Sequence, residues 1–173
     1  MQARILIQTD RLLLRPAEQS DLAALHAILS DPVATRFWST PPHASLGHTS
    51  HWLAGMMSIP AGAGEDFVIE HHGAVIGKAG FYRFPEIGFI LHPEFWGQGL
   101  AREALSPVIE RAFDVHRLAV VVADVDPRNE ASLKVLRRLD SREFGRAGRT
   151  WLVGDSWCDS VYMSRANPKP DHV

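Results

Sequence analysis

The chain has 173 residues, and 46% apolar against 22% charged residues is the balance of a globular protein with one domain, residues 1–173. A formal net charge of −2 argues against nucleic acid or an anionic membrane as the main partner. Cys158 is the only cysteine, which excludes an intrachain disulfide, and the nine histidines lack metal-ligand spacing, so we expect no metal. The absence of a signal-peptide core and of a membrane-length apolar run predicts a cytoplasmic protein.

The first third of the chain predicts one strand followed by helices. Residues 12–14 form a short apolar run before Pro16, which is typical of a strand. Helical spacing of apolar residues predicts a helix that starts at Ser20 or Asp21, a short second helix over residues 33–38 and a third that carries residues 52–57.

A two-residue period then predicts strands. Residues 67–69 and 75–82 flank a turn at His72-Gly73, which indicates a hairpin, and residues 86–91 form the next strand. An amphipathic helix follows, in which Pro107 should introduce a kink or shorten the first turn.

The last third predicts a central strand over residues 118–125, covered on both faces, then a helix capped by Asn129. In that helix Ser132 faces inward with the apolar residues. Two further strands, residues 142–147 and 158–163, precede a frayed tail over residues 167–173. This order predicts a mixed α/β fold with a helix that crosses between two strands.

A glycine pair joins the strand of residues 86–91 to the helix after it. Gly97 and Gly99 allow a tight turn and leave backbone N–H groups uncovered at the positive end of a helix. This arrangement favours an anion site, such as one for phosphate. By itself, so short a motif is also typical of an ordinary turn and helix entry.

Three segments, in order and at matching separations, resemble the GNAT superfamily of acyl-CoA-dependent N-acyltransferases: residues 9–16 (TDRLLLRP), 86–101 (EIGFILHPEFWGQGLA) and 126–132 (DPRNEAS). Trp96, where other members have Gln or Arg, resembles the branch of the ribosomal-protein N-terminal alanine and serine acetyltransferases. The resemblance implies the GNAT fold. That fold is a mixed, mostly antiparallel sheet of six or seven strands flanked by helices, with splayed central strands that form an acyl-CoA cleft.

The resemblance also implies acetyl-CoA as the acyl donor. Its pyrophosphate would bind the backbone N–H groups of Gln98, Gly99, Leu100 and Ala101, which a helix dipole reinforces without a metal. Its pantetheine arm would pair with the strand backbone at Phe89, Ile90 and Leu91. Asn129 and Ser132 would contact the arm near the thioester.

For catalysis, the resemblance implies that Glu86 is the general base. The Tyr that often protonates the departing thiolate is replaced by Leu136, which leaves Ser132 as proton donor or thioester contact. Simpler interpretations stay open: Glu86 as a surface carboxylate, Asn129 as a plain helix cap, and Ser132 bonded back to a carbonyl one turn earlier.

A further departure from the family is Asp140-Ser141 in place of Gly-Phe. Asp can adopt the left-handed cap conformation, and the missing Phe leaves its core place to Phe144 or to nothing. Cys158 is a poor nucleophile candidate, because it lies in a C-terminal strand without a paired histidine. The acceptor-site candidates are Arg36, Trp38, Arg83 and Trp151.

The sequence therefore predicts an acetyl-CoA-dependent N-acetyltransferase, monomer or homodimer, that transfers acetyl directly to a primary amine. A protein N-terminal amine is one acceptor, and a small-molecule amine or antibiotic is the alternative. A CoA-binding protein that has lost catalysis is the rival of another class.

Overall fold

The computed structural model describes residues 5–169. One eight-stranded sheet has the order β1-β2-β3-β4-β5-β6-β8-β7, in which β5 and β6 are parallel and all other neighbours are antiparallel. The strands are β1 (Ile7–Gln8), β2 (Leu12–Arg15), β3 (Glu65–His71), β4 (Ala74–Arg83), β5 (Glu86–Leu91), β6 (Val120–Val125), β7 (Arg142–Val153) and β8 (Ser156–Ala166). The mixed, mostly antiparallel sheet is confirmed. The eight strands agree with the expected number of about six or seven, and the extra strand is β1, whose two residues are too few to leave a periodic pattern.

Helices cover both faces of the sheet. They are α1 (Leu22–Leu29), α2 (Leu46–Met57), α3 (Leu100–Asp114) and α4 (Glu130–Arg137), with single 3-10 turns at Gln19–Asp21 and Pro93–Phe95. The apolar faces of α3 and α4 pack with the sheet in one hydrophobic core, and those of α1 and α2 pack against the other face around Val68 and Ile90. The α3 helix starts directly after Gly99 and runs through Pro107, so its first turn is not shortened.

The hairpin at His72-Gly73 is confirmed. Both residues have positive φ, 50° and 79°, as the tight turn between β3 and β4 requires. The strand Glu86–Leu91 and the helix that begins after Asp21 are also confirmed. Within the described residues no helix is long and apolar enough to cross a membrane.

The short helix expected over residues 33–38 is wrong, because the segment is a series of turns. The Asp31 carboxylate accepts from Val33 N at 2.8 Å, and the Asp31 carbonyl accepts Thr35 N at 3.0 Å, as in a first helical turn. The turns that follow use bonds between residues three apart, Arg36 N to Val33 O at 3.4 Å and Trp38 N to Thr35 O at 2.9 Å, so no run of α-helical bonds forms.

The last hairpin is longer than expected, since the Gly-, Arg- and Trp-rich segment between the two expected strands belongs to β7. Before it, Asp140 has φ 61°, which confirms the left-handed cap, and Ser141 N bonds to Leu136 O at 3.0 Å. Phe144 is 63% exposed and does not fill the missing core place. Of the expected tail, Asn167 is bonded to Ala119 O at 2.9 Å, and residues 170–173 lie outside the described residues.

Candidate active site

A cleft opens where two neighbouring strands separate. Within the described residues β5 and β6 pair only at Glu86 and Val122, with Val122 N bonded to Pro85 O at 3.0 Å. Beyond this pair the strands enclose a cleft of about 1430 Å³, walled by β5, the turn before α3, the start of α4 and the end of β7. The splayed central strands are thus present in this chain.

Backbone groups of β5 point into the cleft at alternate residues. His92 N donates to Ile76 O on β4 at 2.8 Å, so the backbone of Ile90 also faces β4 and that of Phe89 and Leu91 faces the cleft. Leu91 O already accepts Trp96 Nε1 at 2.9 Å. The free edge is therefore Phe89 N–H and C=O with Leu91 N–H, whereas Ile90 lines the cleft only through other atoms.

The turn before α3 forms one end of the cleft. Gly97 and Gly99 have φ of 74° and 78°, and Gly99 is the N-cap of α3. Gly97, Gly99, Leu100 and Ala101 line the cleft, but Gln98 does not. The Gln98 side chain donates to Glu94 O at 3.0 Å. Trp96 donates a hydrogen bond from its ring nitrogen to Leu91 O of β5 and so holds the turn against that strand. In the sequence, Trp96 was notable only for its resemblance to one branch of the family.

Arg11 is a cleft residue to which sequence reasoning gave no role. Its guanidinium donates to Glu103 Oε2 at 2.7 Å and to Gln98 O at 3.1 Å. Thr9 Oγ1 donates to Glu103 Oε1 at 2.6 Å. Burial opposes ionisation of Glu103, but these hydrogen bonds outweigh it and hold the pKa of Glu103 below its ordinary value. A fixed cation thus lies beside the N-terminus of α3.

The two ends of the cleft differ in charge. The end at α3 and α4 carries the cations Arg11, Arg102, Lys134 and Arg138 and the carboxylates Asp10, Glu103 and Glu110, so its formal charges leave a small positive excess. The opposite end carries the carboxylates Glu86, Asp124, Asp126 and Asp159 and the single cation Arg36, so it is net negative. This polarity matches a ligand with phosphates at one end and a basic partner at the other.

The start of α4 forms the wall opposite β5. Asn129 Oδ1 accepts Ser132 N at 3.1 Å, so the predicted cap is confirmed. Both residues line the cleft, and within residues 5–169 the Ser132 hydroxyl has no hydrogen bond back to the helix. Leu136 is buried and offers no hydroxyl.

The acidic end brings together most of the predicted acceptor residues. Glu86, Arg36, Trp38 and Trp151 all line it, whereas Arg83 lies in the β4–β5 hairpin outside the lining. Glu86 is exposed at the start of β5, and Arg36 stacks over Phe37 with 5.1 Å between the guanidinium carbon and the ring centroid.

Asp124 is the acidic residue that sequence reasoning missed. Its Oδ2 accepts Trp151 Nε1 at 2.7 Å. The expectation that β6 is covered on both faces concealed it, since burial alternates along β6 and the face that carries Asp124 is only half-buried. In the sequence, Asp124 could have been singled out because it is the one carboxylate in the otherwise apolar run of residues 120–125.

Cys158 also lines the acidic end of the cleft. Its Sγ accepts Arg128 Nη2 at 3.6 Å, and Arg128 is paired with Asp126 at 2.6 Å. No histidine lines the cleft among the described residues, and no group of three or more His, Cys, Asp or Glu there could hold a metal ion.

Residues 11–142 match the family described as "Acetyltransferase (GNAT) domain". The chain belongs to the GNAT acetyltransferase family. It is therefore an N-acetyltransferase that uses acetyl-CoA as donor.

Relatives of this GNAT chain differ in their acceptors. This chain is 28% identical over 148 residues to the uncharacterized N-acetyltransferase p20 of Bacillus licheniformis, and the match covers 80% of this chain and 83% of that protein. Two solved structures share its fold. One is a ribosomal-protein-S5-alanine acetyltransferase from Vibrio fischeri, with 22% identity, TM-score 0.81 and coverage of 97% and 100%. The other is a spermidine N-acetyltransferase from Vibrio cholerae with CoA and spermine, with 20% identity, TM-score 0.80 and coverage of 93% and 98%.

Proposed function

We propose that this GNAT enzyme transfers acetyl directly from acetyl-CoA to a primary amine that enters the acidic end of the cleft. The acceptor is a protein N-terminal amine or a small-molecule amine. The observation that carries the proposal is the charge polarity of one continuous cleft, which has a positive excess at α3 and α4 and a net negative charge where β5 and β6 separate.

Donor binding follows from the described contacts. The pyrophosphate would lie against the N–H groups at Gly99, Leu100 and Ala101, with Arg11 beside it. The pantetheine arm would pair with Phe89 and Leu91 as an added strand, because β6 has left that edge open. Asn129 and Ser132 would border the arm from the opposite wall.

The chemistry requires three steps. The amine nitrogen attacks the thioester carbonyl carbon, and its proton passes to Glu86 directly or through water. A backbone N–H of β5 stabilises the oxyanion. The C–S bond then breaks, and the thiolate takes a proton from Ser132 or from water. Cys158 takes no part, so the reaction passes through a ternary complex.

The test measures thiol release from acetyl-CoA with two acceptors, spermidine and a peptide with a free N-terminal alanine. We expect release with at least one, initial rates that indicate a ternary complex, and full activity in Cys158→Ala. Thiol release with neither acceptor, or loss of activity in Cys158→Ala, would contradict the proposal.

Donor binding has a separate test. Saturating acetyl-CoA should raise the melting temperature of the wild type and leave that of Gly99→Val unchanged, because a side chain at Gly99 covers the phosphate-binding N–H groups. Gly62→Val is the matched control. Gly62 has φ of 80°, against 78° for Gly99, and open space around it, so the backbone strain is similar while the cleft is untouched. A variant at Gly99 that responds like the control would rule out this binding mode.

A further inference from the structure

Asp124 projects toward the acceptor end of the cleft. Its neighbours Val121, Ala123 and Val125 in β6 belong to the core beneath α3 and α4, so Asp124 points to the opposite face of the sheet. Its carboxylate forms no ion pair within residues 5–169 and accepts one hydrogen bond, from Trp151 Nε1 to Oδ2. The second oxygen, Oδ1, is left for another donor.

The register places Asp124 on the same face as Glu86. Val122 pairs with Glu86, and residues paired across two strands point to the same side. Asp124 follows two residues later, which is about 6–7 Å further along the strand, level with Gly88. Gly88, the residue of β5 two places after Glu86, has no side chain that could cover the carboxylate, and β5 and β6 are no longer paired there.

The nearby cations are largely matched by other carboxylates. Lys78 Nζ lies 3.8 Å from where a side chain on Gly88 would begin, but it is buried and paired with Asp66 at 2.8 Å. Arg128 is paired with Asp126. Arg36 at the same end has no carboxylate partner among residues 5–169 and offsets one negative charge. Glu86 and Asp124 together still leave this face of the cleft with a net negative charge.

We propose that Asp124, held by Trp151, binds the acceptor amine in its ammonium form at the acidic end of the cleft. This inference rests on the proposed function and names the acceptor-binding residue of the same site. A carboxylate and an ammonium form a charge-assisted hydrogen bond, and the rings of Trp38 and Trp151 at the same end suit the apolar chain that carries the amine. The bound ammonium first loses one proton to water in the open cleft, which frees the lone pair for attack, and Glu86 takes the second proton as the C–N bond forms.

The test compares wild type, Asp124→Asn and Asp155→Asn. Asp155 is an exposed carboxylate at the tip of the β7–β8 hairpin outside the cleft, so its variant controls for loss of one charge. We expect Asp124→Asn to raise KM for spermidine or the alanine peptide by about tenfold, with kcat within about twofold of wild type. In 0.5 M NaCl the KM of the wild type should rise toward that of the variant, because salt screens the attraction.

A binding measurement separates this inference from the proposed function. Titration of the CoA-loaded protein with each acceptor should give about tenfold weaker binding for Asp124→Asn, whether or not thiol is released. Weaker binding in the variant without thiol release in the wild type would contradict the proposed function alone. The inference would be overturned if Asp124→Asn released thiol with the KM and the acceptor affinity of the wild type. It would also be overturned if the wild type bound neither acceptor.

Discussion

Glu86 occupies the point at which β5 and β6 still touch, so its backbone is held by the sheet while its side chain faces the cleft. Within residues 5–169 the carboxylate has no ion-pair partner, which leaves it available to accept a proton from the amine. These are the requirements for a general base: a fixed position and access to the reacting group.

Replacement of Glu86 by Gln should therefore lower kcat by about 100-fold or more at neutral pH, since the amide cannot take the proton. The rise of melting temperature with acetyl-CoA should be unchanged, because Glu86 lies away from the phosphate end. Steady-state thiol release and thermal unfolding would measure the two effects.

Glu94→Gln provides the control, since the side chain of Glu94 is 82% exposed and lies outside the cleft lining. Full activity in Glu86→Gln would exclude Glu86 as the base, and equal losses in both variants would show that the effect is not specific.

For single residues, the sequence predicted which side chains would lie at the cleft when the residue type itself suggested a role. Gly99, Asn129 and Trp151 all line the cleft. The sequence did not predict the direction in which a residue faces. The Gln98 side chain bonds Glu94 O and does not line the cleft. The backbone of Ile90 faces β4, because backbone groups alternate along a strand and their direction depends on which neighbouring strand is paired, which the residue type does not indicate.

Between α1 and α2, buried His43 contacts half-buried His26 and exposed His48 around Thr49, in the loop that leads to the acceptor end. Thr49 Oγ1 lies 2.7 Å from His26 Nδ1 and 2.9 Å from His43 Nδ1, and the ring of His43 stacks on that of His48 with centroids 4.1 Å apart. Burial, followed by the neighbouring His48 and His26, lowers the pKa of His43 below 6.5. The cluster is therefore stable only while His43 is neutral.

This predicts a loss of stability in mild acid. A lowered folded-state pKa means that the unfolded chain binds the proton first, so the contribution is present above pH 6.5 and is lost as pH falls below it. Denaturant unfolding should show a smaller pH dependence in His43→Gln than in wild type, by up to about 1.4 kcal/mol per pH unit.

His51 lies exposed on α2, and His51→Gln should keep the wild-type pH dependence. The same dependence in His43→Gln and wild type would refute the role assigned to His43.

Elements with a clear period were predictable, and those shaped by local bonds or by partners were not. The hairpin at His72-Gly73 and the strand Glu86–Leu91 follow from pattern alone. The segment of residues 33–38 has helical spacing, yet after one α-helical bond to Asp31 its backbone bonds join residues three apart, and it forms successive turns. Part of β7 reads as a loop from its composition, and pairing with β8 makes it a strand.

For the whole molecule, the decisive feature is the single pair that joins β5 to β6. Both strands are apolar along most of their length, and nothing in their composition indicates where pairing stops. Resemblance to a family supplied the splayed cleft, whereas residue patterns supplied the mixed α/β class. The charge polarity of the cleft needed coordinates, because its two ends draw on residues from both halves of the chain.

The open edge of β5 predicts an alternating pattern of hydrogen exchange across the molecule. Acetyl-CoA should slow exchange at the amides of Phe89 and Leu91, which face the cleft, and leave Ile90 unchanged, because its amide already bonds to β4. The amides of Leu100 and Ala101 should slow as well, through contact with the pyrophosphate. Residue-resolved exchange by NMR would measure this. Strand β3, none of whose residues lines the cleft, serves as the internal reference. Equal protection of Ile90 and its two neighbours would contradict pairing of the pantetheine arm with β5.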